Sequence, residues 1–177
     1  GTFLAGFVLI SYIGSAGSIW IVAGANALLG ALFFMKPVVR FFGLVVGIGM
    51  GYAALSGWRV SVFATPCQVE SQYYCIRIDP ADHMTGRSSR LMALDHLVHS
   101  INDEQDPGHL ASPYVHFVDE IARQKFGTES FSAFFIGGGG YTLPRAWVAR
   151  HPDTRMFIAE IDPKVTLLAE KKLWFEP

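Results

Sequence analysis

A strand, a glycine loop and a helix follow one another in Phe131-Ser-Ala-Phe-Phe-Ile-Gly-Gly-Gly-Gly-Tyr-Thr-Leu-Pro-Arg-Ala-Trp-Val-Ala-Arg150. The apolar residues 131–136 are typical of a short buried strand. Four glycines then let a ligand approach the backbone, and Pro144 lies near the first turn of the helix, where proline is tolerated. The free N–H groups at the start of such a helix attract polar or anionic ligands. This order of elements predicts a nucleoside-binding loop in an α/β sheet.

A second strand and helix follow at the spacing of a βαβ unit. Residues 155–162 predict a strand that ends in acids, and residues 163–172 predict a helix. Glu160 comes 22 residues after Gly138, close to the spacing of about 20 at which an acid binds ribose hydroxyls. No Gly-Lys-Ser/Thr follows the glycines, which disfavours ATP hydrolysis. The alternative is that the glycines only close a tight turn and that Glu160 is an ordinary strand-end acid.

The segment ahead of the loop predicts a small β-unit followed by a helix. Residues 67–79 alternate as a strand does, and residues 90–95 form its hairpin partner after a turn at 80–89. Residues 102–113 are polar, acidic and proline-containing, which indicates a loop. Residues 114–125 have the periodicity of an amphipathic helix.

The cysteines and histidines indicate no metal site. Cys67 and Cys75 are eight residues apart, which fits neither a zinc site nor a thioredoxin-type pair. We interpret them as two buried thiols; the alternative, a disulfide, requires an oxidising compartment. The six histidines include no His-x3-His pair and no Cys/His set, so we expect no bound metal.

The charges are distributed unevenly along the chain. Residues 1–58 contain only two charged side chains, Lys36 and Arg40, and 11 of the 18 glycines, although the whole chain has a net charge of −1. One compact soluble domain does not leave so long a part without charge. The distribution also excludes a disordered chain and a nucleic-acid binder that depends on a basic patch. It predicts a membrane segment joined to a water-soluble one.

Two uncharged stretches, residues 17–35 and 41–58, are long enough to span a membrane. A helix over the first would extend about 28 Å, close to a hydrocarbon core of roughly 30 Å. The turn with Lys36 and Arg40 should lie at an interface. The apolar stretch of residues 3–13 is too short to span the membrane, and we interpret it as the end of a truncated helix.

Small and polar residues in these spans suggest how the helices pack. Gly43, Gly47 and Gly51 share one helix face, which favours close approach of a neighbouring helix; the alternative is that glycine is merely common in membrane helices. Asn26 is predicted to hydrogen-bond between helices rather than to take part in transport.

The predicted fold class is transmembrane α-helices followed by α/β. Residues 1–58 form the membrane helices, residues 59–125 a linker, a β-unit and a helix, and residues 126–177 the first half of a Rossmann-like nucleoside-binding domain.

Several motifs, in order, resemble those of the spermidine synthase (polyamine aminopropyltransferase) family. They are Glu70-Ser-Gln-Tyr-Tyr-Cys-Ile-Arg-Ile78, Leu94-Asp-His-Leu-Val-His99, Tyr114, Ile136-Gly-Gly-Gly139 and Glu160-Ile-Asp162. The resemblance covers about residues 67–177. Together with the apolar helices, it extends to the bacterial fused major-facilitator/spermidine-synthase-like membrane proteins.

The resemblance implies a small N-terminal β-unit on a methyltransferase-like Rossmann domain. It also implies aminopropyl transfer from decarboxylated S-adenosylmethionine, used as a co-substrate, to a diamine, with no tightly bound cofactor. The residues that it assigns to the nucleoside are Gly137, Gly138, Gly139, Gly140, Glu160 and Asp162. It assigns His99 and Tyr114 to the substrate.

The sequence departs from the family at several positions. Gly140 replaces an aspartate that faces the amine end of the nucleoside substrate, and His96 and His99 replace a glycine and a glutamine. The resemblance places the catalytic aspartate on a later strand, after Pro177, so the catalytic residues are not identified. Four nearby acids, interpreted as solvated loop residues, are Asp95, Asp103, Glu104 and Asp106.

These departures leave two rival functions open. One is an S-adenosylmethionine-dependent methyltransferase on the same fold, and the other is a non-catalytic transporter or sensor that binds polyamine or nucleoside. We expect an enzyme, inactive as residues 1–177 alone, in the bacterial inner membrane with its soluble domain in the cytoplasm. The expected partners are a small polyamine or nucleoside substrate, the lipid bilayer and, in a homo-oligomer, further copies of the chain, but no nucleic acid.

Overall fold

The computed structural model describes residues 3–33, 36–55 and 65–177. The chain divides into two compact units, one of residues 1–66 with 70–72 and the other of residues 67–69 with 73–177.

The first unit is helical. A π-helical stretch, Leu4–Ile10, continues into α1 (Ser11–Phe33), and α2 spans Pro37–Leu55. The predicted partial helix and residues 17–33 of the first span therefore form one helical stretch, interrupted at Gly14, whose φ of 75° suits glycine. Residues 34–35 of that span lie outside the described residues. The stretch Leu4–Gly30, with a mean hydropathy of 1.7, is long and apolar enough to cross a membrane, whereas Pro37–Ala53 is shorter. Residues 56–58 of the predicted second span lie outside the described residues.

Helices α1 and α2 approach each other closely at two glycines. A Cβ atom on Gly24 would lie 3.0 Å from the carbonyl oxygen of Gly47, and one on Gly47 would lie 3.1 Å from that of Gly24. Gly47 therefore serves the close packing that its spacing predicts, whereas a Cβ atom on Gly51 would meet nothing within 4 Å. The prediction for Asn26 is wrong, because its amide donates to the Val22 carbonyl of its own helix at 2.8 Å.

The second unit begins with a four-stranded sheet in the order β1-β2-β3-β4. Its strands are β1 (Val69–Glu70), β2 (Cys75–Pro80), β3 (Ser89–Leu94) and β4 (Leu97–Asp103), and a short helix, α3 (Asp82–Thr85), lies in the predicted turn. β2 and β3 form the expected antiparallel hairpin, in which Ile76 lies opposite Leu94. β4 pairs with β3 through a bulge at Met92 and Ala93.

Strand β4 was not predicted, since its burial does not alternate. Residues 97–99 are exposed, whereas the next four, which end in the polar Asn102 and Asp103, are all buried. The interpretation of Asp103 as a solvated acid is therefore wrong. Its carboxylate pairs with the Arg87 Nε at 2.6 Å. Burial would raise the pKa of Asp103, but the backbone N–H groups of Asp106 and Gln105 and the Arg87 guanidinium together hold it below its ordinary value.

A βαβα segment follows the sheet. Helix α4 (Pro113–Phe126) leads to β5 (Ser132–Ile136), α5 (Thr142–Arg150), β6 (Arg155–Ala159) and α6 (Pro163–Lys172), close to the predicted bounds. β5 and β6 are parallel, with Ser132 opposite Arg155, and the α/β class is confirmed. One apolar core joins both parts of this unit: Ile76, Ile78, Met92, Leu94, Tyr141, Val165, Ala169 and Leu173.

The two cysteines form a disulfide, so the interpretation of two free thiols is wrong. Cys67 and Cys75 lie with their Cα atoms 5.1 Å apart, within the range that a disulfide spans. Sequence spacing could not show this approach, because it depends on the turn that brings residue 67 back to the start of β2.

Replacing both cysteines by serine is expected to lower the free energy of unfolding by about 2.5 kcal/mol, the chain-entropy value for so short a loop. Thermal unfolding of both proteins, with and without reductant, measures the loss, and reductant should affect only the wild type. Alkylation of both thiols in the unreduced wild type would show that the bond is absent.

Candidate functional site

The glycine loop between β5 and α5 adopts backbone conformations that favour glycine. Gly137 and Gly139 have φ values of 88° and 52°, in the left-handed region. The Gly137 N–H donates to the Ala159 carbonyl at 2.9 Å, which joins the start of the loop to the end of β6. A side chain on Gly138 would overlap the Tyr141 ring. The loop thus exposes its backbone at the carboxyl end of two parallel strands, where α/β sheets bind ligands.

Glu160 holds this loop in place. Its Oε2 accepts the N–H of Gly138 at 2.6 Å and that of Gly139 at 3.4 Å. Its Oε1 accepts the N–H of Asp162 at 2.9 Å. The spacing of 22 residues thus brings the acid onto the glycines. Three of the roughly four acceptor sites of the carboxylate are used within the chain, and Oε1 keeps room for a further donor.

Asp162, in contrast, caps a helix. It is the N-cap of α6, and its Oδ1 accepts the Lys164 N–H at 3.0 Å. Its side chain is buried, and it does not line the cavity at the loop. The structure therefore gives Asp162 a structural position beside Glu160.

A cavity of about 610 Å³ lies beside the glycine loop, a size that suits a small-molecule ligand. Seven of the eight predicted residues line it, all except Asp162: Gly137, Gly138, Gly139, Gly140, Glu160, His99 and Tyr114. The lining residues that were not assigned from sequence are Tyr74, Leu94, Ser100, Val115, Phe135, Ile136, Thr142, Leu143, Pro144, Ala159 and Ile161.

Tyr114 and His99 approach the cavity from different elements. The Tyr114 hydroxyl, at the start of α4, donates to the His99 carbonyl on β4 at 2.9 Å. Desolvation raises the pKa of Tyr114 above its ordinary value. The phenol is therefore protonated at neutral pH, and its oxygen can still accept a hydrogen bond from a ligand.

Asn102 connects β4 to the end of the glycine loop. Its side chain is buried, and its amide nitrogen donates to the carbonyls of Gly140 at 2.7 Å and Leu173 at 3.2 Å. Its Oδ1 accepts the Thr142 hydroxyl at 2.6 Å. Sequence patterns gave no signal for this role, because Asn102 falls in a stretch that was interpreted as a loop.

Asn102→Ala is expected to destabilise the protein by about 2 kcal/mol, since buried carbonyls and a hydroxyl lose their partner. Chemical denaturation measures the change. Gln124→Ala, which removes an exposed amide that bonds only Glu120 in the described structure, is the matched control and should stay within about 0.5 kcal/mol. Equal stabilities of the two variants would contradict the role given to Asn102.

Comparison with known proteins adds two relatives. No protein-family model matches the sequence. The chain is 35% identical over 65 residues to a polyamine aminopropyltransferase from Vibrio vulnificus, which corresponds to 37% of this chain and 21% of that protein. The chain thus spans about a fifth of the length of the curated relative that it matches.

The fold is similar to that of a solved structure. A probable spermidine synthase from Corynebacterium glutamicum matches with a TM-score of 0.52 at 18% identity, over 59% of this chain and 38% of that one. This likeness shows the fold, that of a spermidine synthase, and the shorter sequence match agrees with it. Together the two findings support a relationship of this chain to the polyamine aminopropyltransferases.

Proposed function

We propose that the chain is part of a membrane-anchored, spermidine-synthase-like transferase that binds the nucleoside of decarboxylated S-adenosylmethionine beside its glycine loop. The observation that carries the proposal is the Glu160 carboxylate, which accepts the N–H of Gly138 and lines the cavity of about 610 Å³. A carboxylate at the end of the second parallel strand is well placed to accept a ribose hydroxyl, here through Oε1.

In the proposed reaction a neutral amine attacks the methylene carbon bound to the sulfonium. A C–N bond forms, the C–S bond breaks, its electron pair returns to sulfur to give a neutral thioether, and the amine loses a proton. Gly137 to Gly140 and Glu160 orient the nucleoside, and His99 and Tyr114 lie on the acceptor side. Holding the two reactants together supplies much of the rate acceleration in such a transfer. Glu160 is the one carboxylate among the described lining residues. We assign the removal of the amine proton to none of these lining residues.

The proposed organisation has three parts. Residues 1–58 anchor the chain in a lipid bilayer, which the length and hydropathy of Leu4–Gly30 support. Residues 59–125 form a linker, the β-unit and its helix, and residues 126–177 begin a Rossmann-like domain. The parallel pair β5 and β6, with helices after each strand, supports the last assignment.

The disulfide favours a second candidate, a non-catalytic sensor or transporter domain for nucleosides or polyamines. Disulfides persist in oxidising compartments, which opposes the expected cytoplasmic location. Lys36 lies before the start of α2, and positively charged turns tend to stay in the cytoplasm. A single pass through the predicted span 41–58, of which α2 covers the described part, would then place the soluble unit on the outer side. A domain there would be separated from a nucleoside made in the cytosol.

Two measurements on the full-length protein in detergent decide between these functions. Calorimetry tests binding of decarboxylated and intact S-adenosylmethionine, and mass spectrometry with putrescine tests turnover. Binding of the decarboxylated form with an aminopropylated product supports the transferase. Binding without product supports the sensor, a methylated product supports the rival methyltransferase, and failure of both nucleosides to bind overturns the proposal.

The side of the membrane is tested separately by fusing alkaline phosphatase after Pro177. Because that enzyme needs disulfides to be active, we expect activity if the soluble unit faces the outer compartment. The soluble unit would lie in the cytoplasm if the phosphatase fusion is inactive and if a reporter protein that fluoresces only in the cytoplasm, fused at the same position, is fluorescent.

A further inference from the structure

Ser100 carries a buried hydroxyl that has no hydrogen-bond partner among the described residues. Its side chain lies on β4, is 2% exposed, and its Oγ makes no hydrogen bond within the part of the chain that the structure describes. Buried polar groups are nearly always paired. Ser100 also lines the cavity at the glycine loop, so a ligand there could supply the missing partner.

The hydroxyl occupies the space beside the last glycine of the loop. A Cβ atom on Gly140 would overlap the Ser100 Oγ and would lie 2.6 Å from the Ser100 Cβ. With serine at residue 100, a side chain at residue 140 has no room. The pair presents one neutral hydroxyl at this end of the loop.

The cavity has two chemically different ends. Glu160 contacts Gly138 and Gly139, whereas Ser100 abuts Gly140, the next residue toward α5. If the carboxylate binds the ribose diol, the substituent on the sulfur extends away from it, along the loop toward β4. A charged amine would meet a hydroxyl there instead of a carboxylate. The hydroxyl binds the amine with lower affinity than a carboxylate would.

We propose that Ser100 is a specificity-determining residue: its hydroxyl oxygen accepts a hydrogen bond from the amine on the sulfur substituent of the bound nucleoside. Because the group is neutral, it favours an amine over an uncharged substituent by less than a carboxylate would. The inference rests on the proposed nucleoside binding and goes beyond it, because it identifies the group that contacts the substituent on the sulfur.

The test compares two ligands by calorimetry on the full chain in detergent. Methylthioadenosine has an uncharged methyl substituent, and decarboxylated S-adenosylmethionine has an aminopropyl group. Ser100→Ala should weaken only the second ligand, by about fivefold. Ser100→Asp, which places a carboxylate at this end, should strengthen it by roughly tenfold. Ser88→Ala, which removes an exposed hydroxyl bonded to Glu104, is the control and should change neither affinity.

Stability separates this role from a structural one. Since the Ser100 hydroxyl has no partner, Ser100→Ala should leave the ligand-free melting temperature unchanged or raise it. A lower melting temperature, or an unchanged affinity for the aminopropyl ligand while methylthioadenosine still binds, overturns the assignment of Ser100. Failure of wild-type protein to bind methylthioadenosine overturns instead the nucleoside site itself. If Ser100→Asp fails to fold, the affinity of Ser100→Ala for the aminopropyl ligand alone tests the proposal.

Discussion

Glu160→Ala is expected to reduce the affinity for adenosine-containing ligands by about a hundredfold, the effect of losing a charged hydrogen-bond partner. The loss has two physical sources. A ribose hydroxyl loses its acceptor, and the N–H groups of Gly138 and Gly139 lose the carboxylate that holds them. Calorimetry with methylthioadenosine on the full-length chain measures the change.

Two further variants make this result specific. Glu160→Gln keeps one acceptor oxygen and should retain part of the affinity. Glu129 is an exposed acid away from the loop, so Glu129→Ala should leave the affinity unchanged. If Glu160→Ala binds as tightly as Glu129→Ala, Glu160 is an ordinary strand-end acid and the glycines only close a turn.

Gly140→Ala is expected to destabilise the protein by roughly 3 kcal/mol or more, at the upper end of overpacking costs. The new methyl group would collide with Ser100 and would lie 3.2 Å from the Leu173 Cδ1, and both neighbours are buried. Chemical denaturation of the single variant measures the loss. An aspartate at residue 140 would be larger still, so the carboxylate of the resembling family cannot be restored by that one change.

A second substitution identifies the collision as the cause. Adding Ser100→Gly to Gly140→Ala removes the Ser100 side chain, so the double variant should be more stable than Gly140→Ala alone, with a coupling of about 2 kcal/mol. Gly137→Ala is the comparison, since its Cβ meets open space and its cost, about 1–2 kcal/mol, comes from the positive φ. Additive effects at residues 100 and 140 would contradict the contact.

The βαβα segment could be predicted from sequence because its signals are local. Each helix follows a glycine or an acid, each strand is a short apolar run, and the spacing of Glu160 from the loop is set by one helix and one strand. Such signals need no knowledge of distant residues, and they led to Glu160 and the four glycines.

The parts that could not be predicted depend on contacts between distant residues. Asn102 and Asp103 are polar in sequence but buried in structure, because Gly140, Leu173 and Arg87 supply their partners. The Ser100 position follows from β4, which has no alternating pattern. Cys67 and Cys75 meet only because the chain folds back. Pattern analysis assigns such polar residues to loops by default.

Asn102 also limits how this protein can be divided. A residue of the β-unit bonds the last glycine of the loop and the residue that follows α6, so the glycine loop takes its shape partly from a neighbouring sheet. Recombination that exchanged the α/β segment alone would break these bonds. In a chimaera, β4 and the glycine loop should therefore come from the same parent protein.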